Sequence, residues 1–391
     1  ADEFDKVDLR CSQNYSWAYQ NSTSETFVRE TFSRDAQRDM GMPYARSRYY
    51  HLYINGQYWG LYQTEERPDA DFAATYLDGK SGDWDCIKTT TPGYTTTASD
   101  GTFDAFYALH NLAINQGFSG AYSNNYWRAR GLNPDGTANT NYPAYLDQDN
   151  LIAFMLTAYY TGDPDSPISI WGDGGLGMPN NMYGLFNRAN PSGFKWIRHD
   201  AEHSLGANGG YTVTCDTTYA GTNLTAQAKF NPGTLHQRLC EHPDYRMRFA
   251  DLVRKHLYDN GALTPTNAQR RFRSRMSEID TAIIGESARW GRGKTRDATW
   301  LPACNAVLNT YLSQRRDIIV NHFRNHGWYP RLDVPSYSTN NAALPSGHVL
   351  RITATNTFYY TADGSDPRLS GGGINPAAVA VIRPPAWTDE T

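Results

Sequence analysis

The stretch RYYHLYINGQYWGLYQTEE, Arg48 to Glu66, alternates apolar and polar residues on either side of Asn55-Gly56. Asn-Gly readily supplies the two left-handed residues of a two-residue turn, so this segment can do little else than form a β-hairpin. The spacing predicts strands over Arg48–Ile54 and Gln57–Thr64. Just before it, SETFVRETFSRDAQRDM (Ser24–Met40) puts Phe27, Phe32, Ala36 and Met40 roughly on one helical face, with Gly41 and Pro43 to end the helix. DKVDLRC reads as a core strand. WDCIKTT (Trp84–Thr90) reads as a further strand of the hairpin's sheet, followed by a Thr/Gly-rich connector over Thr89–Thr102.

Beyond the connector the pattern becomes helical. FDAFYALHNLAINQ and LDQDNLIAFMLTAYYTG carry stripes of helical period. HPDYRMRFADLVRKHLYDNG places Tyr245, Phe249, Leu252, Val253 and Leu257 on one face between Pro243 and Gly261. TPTNAQRRFRSRMSEIDTAII repeats the design with Phe272, Met276, Ile279 and Ile283, and a third long helix is expected over Ala303–Asn325. These stripes read as core. At GWYPRLDVPSYS the composition shifts, and alternating residues around Asp363-Gly364 predict a small β-sandwich from about Pro335, with no helix after it. The expected fold class is α+β, in three units: a sheet-bearing lobe (1–92), a mainly helical lobe (93–330) and a β-module (331–391).

Composition narrows the function classes. A net charge of −4 gives no reason to expect a nucleic-acid or membrane-surface partner. No run of about 18 apolar residues offers a membrane span. Five cysteines without a C-x-x-C pair leave at least one thiol unpaired within the chain and disfavour a structural zinc knot. Abundant Tyr with scarce Lys suits an exported protein. The first residues lack an initiator Met and an apolar leader, so the chain is expected to begin inside a domain.

The chemistry concentrates in FKWIRHDAEHSLGANGG (Phe194–Gly210), where His199, Asp200, Glu202 and His203 fall within five positions. Read literally, His199–His203 is H-x-x-E-H, a zinc-peptidase pattern that needs His199, Glu202 and His203 on one helix face. Three glycines in the last five residues oppose a helix there, since each interior glycine costs about 1 kcal/mol. A solvated strand end is the bland alternative. The third reading is a carboxylate pair that holds a divalent cation against phosphates. Asp200 and Glu202 supply oxygen ligands suited to Mg²⁺, and Asn180-Asn181, before the preceding strand, can add an amide oxygen by hairpin pairing. Upstream, Asp163 and Asp165 end a helix in YYTGDPDSPIS. Base, amide ligand, carboxylate ligand is the order of a kinase catalytic loop. GDGGLG (Gly172–Gly177) reads as an insertion loop and not as a phosphate cradle.

RDAQRDMGMPYARSRYYHLYINGQYWGLYQTEERPDADF, PNNMYGLFNRANPSGFKWIRHDAEHSLG and GESARWG together resemble the CotH (spore-coat protein H) kinase family over roughly residues 1–330. The resemblance implies an atypical protein-kinase-like two-lobe fold and a secreted or cell-surface bacterial protein that transfers a phosphoryl group from ATP to Ser/Thr of a protein. Mg²⁺, or Mn²⁺ or Ca²⁺, would accompany the nucleotide. It gives Glu66 the role of the small-lobe glutamate that pairs with the phosphate-binding lysine. Asp163 would be the catalytic-loop aspartate, Asn181 the amide metal ligand, Asp200 the metal-binding aspartate, and Glu202 the second acidic ligand, where many members carry Asp. The family's lysine would lie upstream of Ala1, with Lys88 as a stand-in. The end of the chain, FYYTADGSDPR, resembles the β-sandwich module of chitobiase-type glycosidases, which allows a cell-surface polysaccharide as partner. The alternative to an enzyme is a catalytically silent kinase-fold module used for binding or assembly.

Overall fold

The computed structural model describes residues 6–90, 93–171, 177–207, 211–218, 225–339 and 343–382. The expected loop at GDGGLG falls almost wholly outside them. Strand β1 (Val7–Arg10) is followed by helix α1 (Arg29–Asp39) and then by the hairpin β2 (Tyr49–Ile54) and β3 (Gln57–Glu66). Asn55 (φ 50°) and Gly56 (φ 78°) take the two left-handed positions of its turn. β3 lies between its two neighbours in an antiparallel sheet of order β1-β3-β2.

Helix α1 starts later than the apolar spacing suggests. Phe27 has a φ of 60°, which no right-handed helix admits, and its carbonyl accepts the Tyr49 hydroxyl. From Arg29 to Gln37 the helix is buried on every side, charged residues included, between β9 and helices α5 and α8.

After α2 (Ala70–Tyr76), β4 (Trp84–Thr90) does not extend the first sheet. It pairs with β5 (Thr95–Asp100), the strand that the supposed connector forms; Thr95-Thr96-Thr97 is β-branched and suits it. The expected boundary at residue 92 therefore falls inside this hairpin. Helices α3 (Asp104–His110), α4 (Asn125–Ala129) and α5 (Gln148–Thr161) follow, then the short pair β6 (Ile168–Ser169) and β7 (Met178–Pro179), and the hairpin β8 (Met182–Asn187) and β9 (Lys195–Arg198). The second sheet has the order β5-β4-β8-β9. Gly184 lets β8 run beneath Trp196: a Cβ there would stand 2.5 Å from its ring.

The helical remainder comprises α6 (Pro232–Leu239), α7 (Pro243–Leu257), α8 (Pro265–Ile279), α9 (Ala282–Trp290), α10 (Leu301–Ala306) and α11 (Leu312–Asn325), the last two joined by a π-helical stretch at Val307–Tyr311. All five residues expected on the apolar face of α7 are buried. Beyond residue 331 the described residues form two separate two-stranded ladders, β10 (Ser336–Tyr337) with β11 (Ile352–Thr353) and β12 (Phe358–Tyr360) with β13 (Val379–Val381). None of their side chains is buried, so they lack the two-sheet core that the expected sandwich requires. The architecture is α+β. All five cysteines are free.

Candidate functional site

The β8–β9 hairpin builds the site. Met182 pairs with Arg198, so Asn181, just before one strand, and Asp200, just after the other, emerge side by side. Asn181 (φ 49°) and Asp200 (φ 48°) both hold left-handed backbone, a conformation that Asn and Asp enter more readily than other residues with a Cβ. Asn181 Nδ2 donates to the Asp200 carbonyl at 3.3 Å and to Asp165 Oδ2 at 2.7 Å. Asn180 Nδ2 reaches the same Asp165 oxygen at 3.1 Å.

Helix α5 ends at Gly162 (φ 62°), where a Cβ would lie 2.5 Å from the Tyr311 hydroxyl, and the turn delivers both aspartates to the hairpin. There the two diverge. Asp163 is sealed from solvent: one oxygen pairs with Arg198 and the other accepts from Asp165 N at 3.0 Å. Arg198, equally buried, also donates to Ser33 Oγ of α1 and to Ser166 Oγ, and its guanidinium lies 5.4 Å from the Phe154 ring of α5. Asp165 faces the amide pair instead. Burial, opposed by the Ser169 hydrogen bond and reinforced by Asp163, pushes its carboxyl up to about 7.

Opposite the hairpin stands Arg10 of β1. Its Nη2 lies 2.6 Å from Asp200 Oδ1 and 2.7 Å from Glu30 Oε1, and its Nε 3.4 Å from Glu65 Oε2. Glu65 also meets Arg34 at 3.2 Å and His199 Nδ1 at 2.9 Å. Burial alone would raise Glu65, but His199, Arg34 and Arg10 hold it well below the usual carboxylate range. Asp200 is likewise held low against burial by Arg10 and His199. Glu202 takes both its bonds from Asn14, backbone N at 3.1 Å and Nδ2; burial, with repulsion from Asp200 and Glu30, pushes it up to about 9.

The structure thus brings Asp163, Asn181, Asp200 and Glu202 to one end of the hairpin and leaves two expected residues apart. Glu66 lies on the other face of β3, accepting from the Tyr76 hydroxyl at 2.6 Å and from Arg46 at 3.3 Å. Lys88 sits opposite Tyr183 within the second sheet, and among the described residues none of the cluster's carboxylates bonds to it. Arg10 and Glu30, which the sequence did not single out, and Glu65, the neighbour of the chosen Glu66 and on sequence equally open to being a solvated strand end, occupy the centre. The alternation of β3 could have found one of them. With Leu61 facing inward, Gln63 and Glu65 must follow it, and all three are buried.

The zinc arrangement is not formed. Phe194–Leu205 is a strand end followed by turns, with left-handed backbone at Asp200 and Leu205, so no helix aligns the two histidines. His199 engages Glu65, whereas His203 lies between the Tyr15 hydroxyl (2.6 Å) and Asn14 Nδ2 (3.1 Å). Among the described residues no three His, Cys, Asp or Glu side chains are grouped to hold a metal ion by themselves. Asp200, held ionised against burial by Arg10 and His199, and the Asn181 side-chain amide are the oxygen-bearing groups that meet at this end of the hairpin, through a bond from Asn181 Nδ2 to the Asp200 backbone carbonyl.

No curated protein matches the chain. Among solved structures, a chain of the Shewanella oneidensis MR-1 toxin–antitoxin complex of HipA, HipB and operator DNA is similar at 15% identity and a TM-score of 0.22, over 74% of this chain and 57% of that one. A similarity that distant does not bear on the fold. The family described as CotH kinase protein matches residues 9–319. With most of its length in that match, including every residue of the site above, the chain belongs to the CotH kinase family.

Proposed function

We propose that this kinase-family protein transfers the γ-phosphoryl group of ATP to a serine or threonine hydroxyl of a protein, and that it does so outside the cell. The exported character of its composition supports the second part; no helix among the described residues is long and apolar enough to cross a membrane. The observation that carries the first part is the chain Asp165–Asn181–Asp200. The Asn181 side-chain amide donates to the Asp165 carboxylate and to the backbone carbonyl of Asp200, which sets the three residues side by side in the order that phosphoryl transfer uses base, amide and carboxylate.

In this reading Asp165, not the sealed Asp163, accepts the proton of the attacking hydroxyl. A carboxyl that titrates near 7 is matched to that task. The hydroxyl oxygen bonds to the γ-phosphorus, the bond to the β–γ bridging oxygen breaks, and ADP leaves with that electron pair. Asp163 and Arg198 hold the loop still. Asp200 and Asn181 Oδ1 would hold the divalent cation, with Glu202 beside them, and the cation would offset charge on the phosphate oxygens. Arg10, 2.6 Å from Asp200 Oδ1, is a cation beside the proposed metal ligand. Carboxylates outnumber guanidiniums around it, so a polyphosphate needs an accompanying metal to enter.

Thermal-shift titration with ATP and Mg²⁺ tests this. The wild-type protein should be stabilised saturably, the effect should vanish with chelator, and Asp200→Asn should not respond. Equal nucleotide affinity in that variant would refute the assignment. One contact favours a second reading, a silent binding module: Arg10 closes directly on Asp200. That reading predicts no Mg·ATP response from the wild type either.

A further inference from the structure

Helix α7 carries Asp244 and Asp251 two turns apart, on a face turned away from its apolar stripe. One short segment between β12 and β13 engages both. Arg368 lays its guanidinium on Asp251, Nη1 to Oδ1 at 2.8 Å and Nη2 to Oδ2 at 3.0 Å. Asp366 orients that fork, accepting from Arg368 Nε at 3.1 Å and from Nη2 at 3.0 Å. Asp244 accepts from Ser370 Oγ at 2.9 Å and, across the left-handed turn at Gly371 (φ 79°), from Gly371 N at 2.6 Å.

Apolar packing adds little to this contact. Among the described residues from 330 to 382 none is buried. Leu369, the one apolar side chain of Arg368–Gly372, stays 46% exposed. The segment and the helical lobe face each other across a cavity of about 270 Å³, with Trp127, Gln148 and Arg248 on one side and Asp366 and Leu369 on the other. What remains is charge and hydrogen bonding at side chains that water reaches: Arg368 is 42% exposed and Asp251 36%. Such pairs hold weakly and are screened by salt. We propose that Arg368–Gly372 is an electrostatic strap, which fastens the β12–β13 ladder to α7 at low ionic strength and lets it go at high. The inference does not depend on the phosphoryl-transfer reading.

Hydrogen exchange of the full chain, followed on peptides that span Gly371, tests it at about 0.01 M and about 1 M NaCl, where the screening length falls from about 30 Å to about 3 Å. With rates normalised to those of the unfolded chain at the same salt, the Gly371 amide should exchange about fivefold faster at the higher salt, the equivalent of about 1 kcal/mol. The amides of Phe249–Leu257 in α7 should not change. Asp251→Asn and Arg368→Gln should each give the faster exchange already at the lower salt. The double variant should add nothing to either, because both substitutions remove the same pair. Salt-independent exchange at Gly371, full protection in either single variant, or additive effects of the two each overturns the proposal.

Discussion

Arg10 and Asp200, 190 positions apart, meet at 2.6 Å, and the same guanidinium also reaches Glu30 and Glu65. Arg10→Met would leave Glu30 without its closest cation and Asp200 without its own. Removing one partner from a buried ionic cluster costs about 3 kcal/mol or more. Urea unfolding should show that loss, and Mg·ATP affinity should fall in the same variant if Arg10 meets the phosphates. A neutral effect on both would remove Arg10 from any central role.

Glu65 and Glu66 separate structure from surface within one dipeptide. Glu65→Gln removes the charge that Arg34, Arg10 and His199 share in the interior and should cost about 3 kcal/mol. Glu66→Gln breaks a contact with an Arg46 whose side chain is 42% exposed and should cost about 1 kcal/mol or less. Reversal of that order in denaturant melts would show that the face assignment of β3 is wrong.

Asp163 and Asp165 should part in the same way, this time between stability and rate. Asp165→Asn should lower turnover by about 10²–10⁴-fold while nucleotide affinity changes little. Asp163→Asn should leave Arg198 buried beside an uncharged partner and destabilise the fold by about 3 kcal/mol. Steady-state kinetics of protein phosphorylation, read beside urea melts, distinguish the two.

Glu286 of α9 accepts Leu61 N of β3 at 2.7 Å, and burial pushes its carboxyl from 4.5 to about 7. The folded state therefore binds this proton more tightly than the unfolded chain does. Its contribution is complete below pH 4.5 and is lost as pH rises through about 7, a swing on the order of 3 kcal/mol. Glu286→Gln keeps an acceptor for Leu61 N, so its stability should be flatter than that of the wild type across this window. Parallel pH profiles for the two proteins would exclude the effect.

Local rules made much of this fold legible. Asn55-Gly56 specified its hairpin outright, and the stripe of α7 named its buried residues because both signals depend only on near neighbours in sequence. β4 was misassigned to the first sheet because strand order is a tertiary property; Trp84–Thr90 carries nothing that chooses β8 over β2. The acidic and amide residues around Asp200 were visible for their density. Arg10 and Glu30 were not, since a charged residue on an edge strand or in a helix looks solvated until its neighbours are in place. Asp163 and Asp165 have the same sequence surroundings, and only the position of Arg198 tells them apart.

Arg198 joins α1, the end of α5 and β9 through Ser33, Ser166 and Asp163, all away from water. The aspartate loop and the hairpin are consequently one mechanical piece. Any displacement of the loop or the hairpin would have to carry Ser33 of α1 with it, and through Arg34 the buried side of β3 as well.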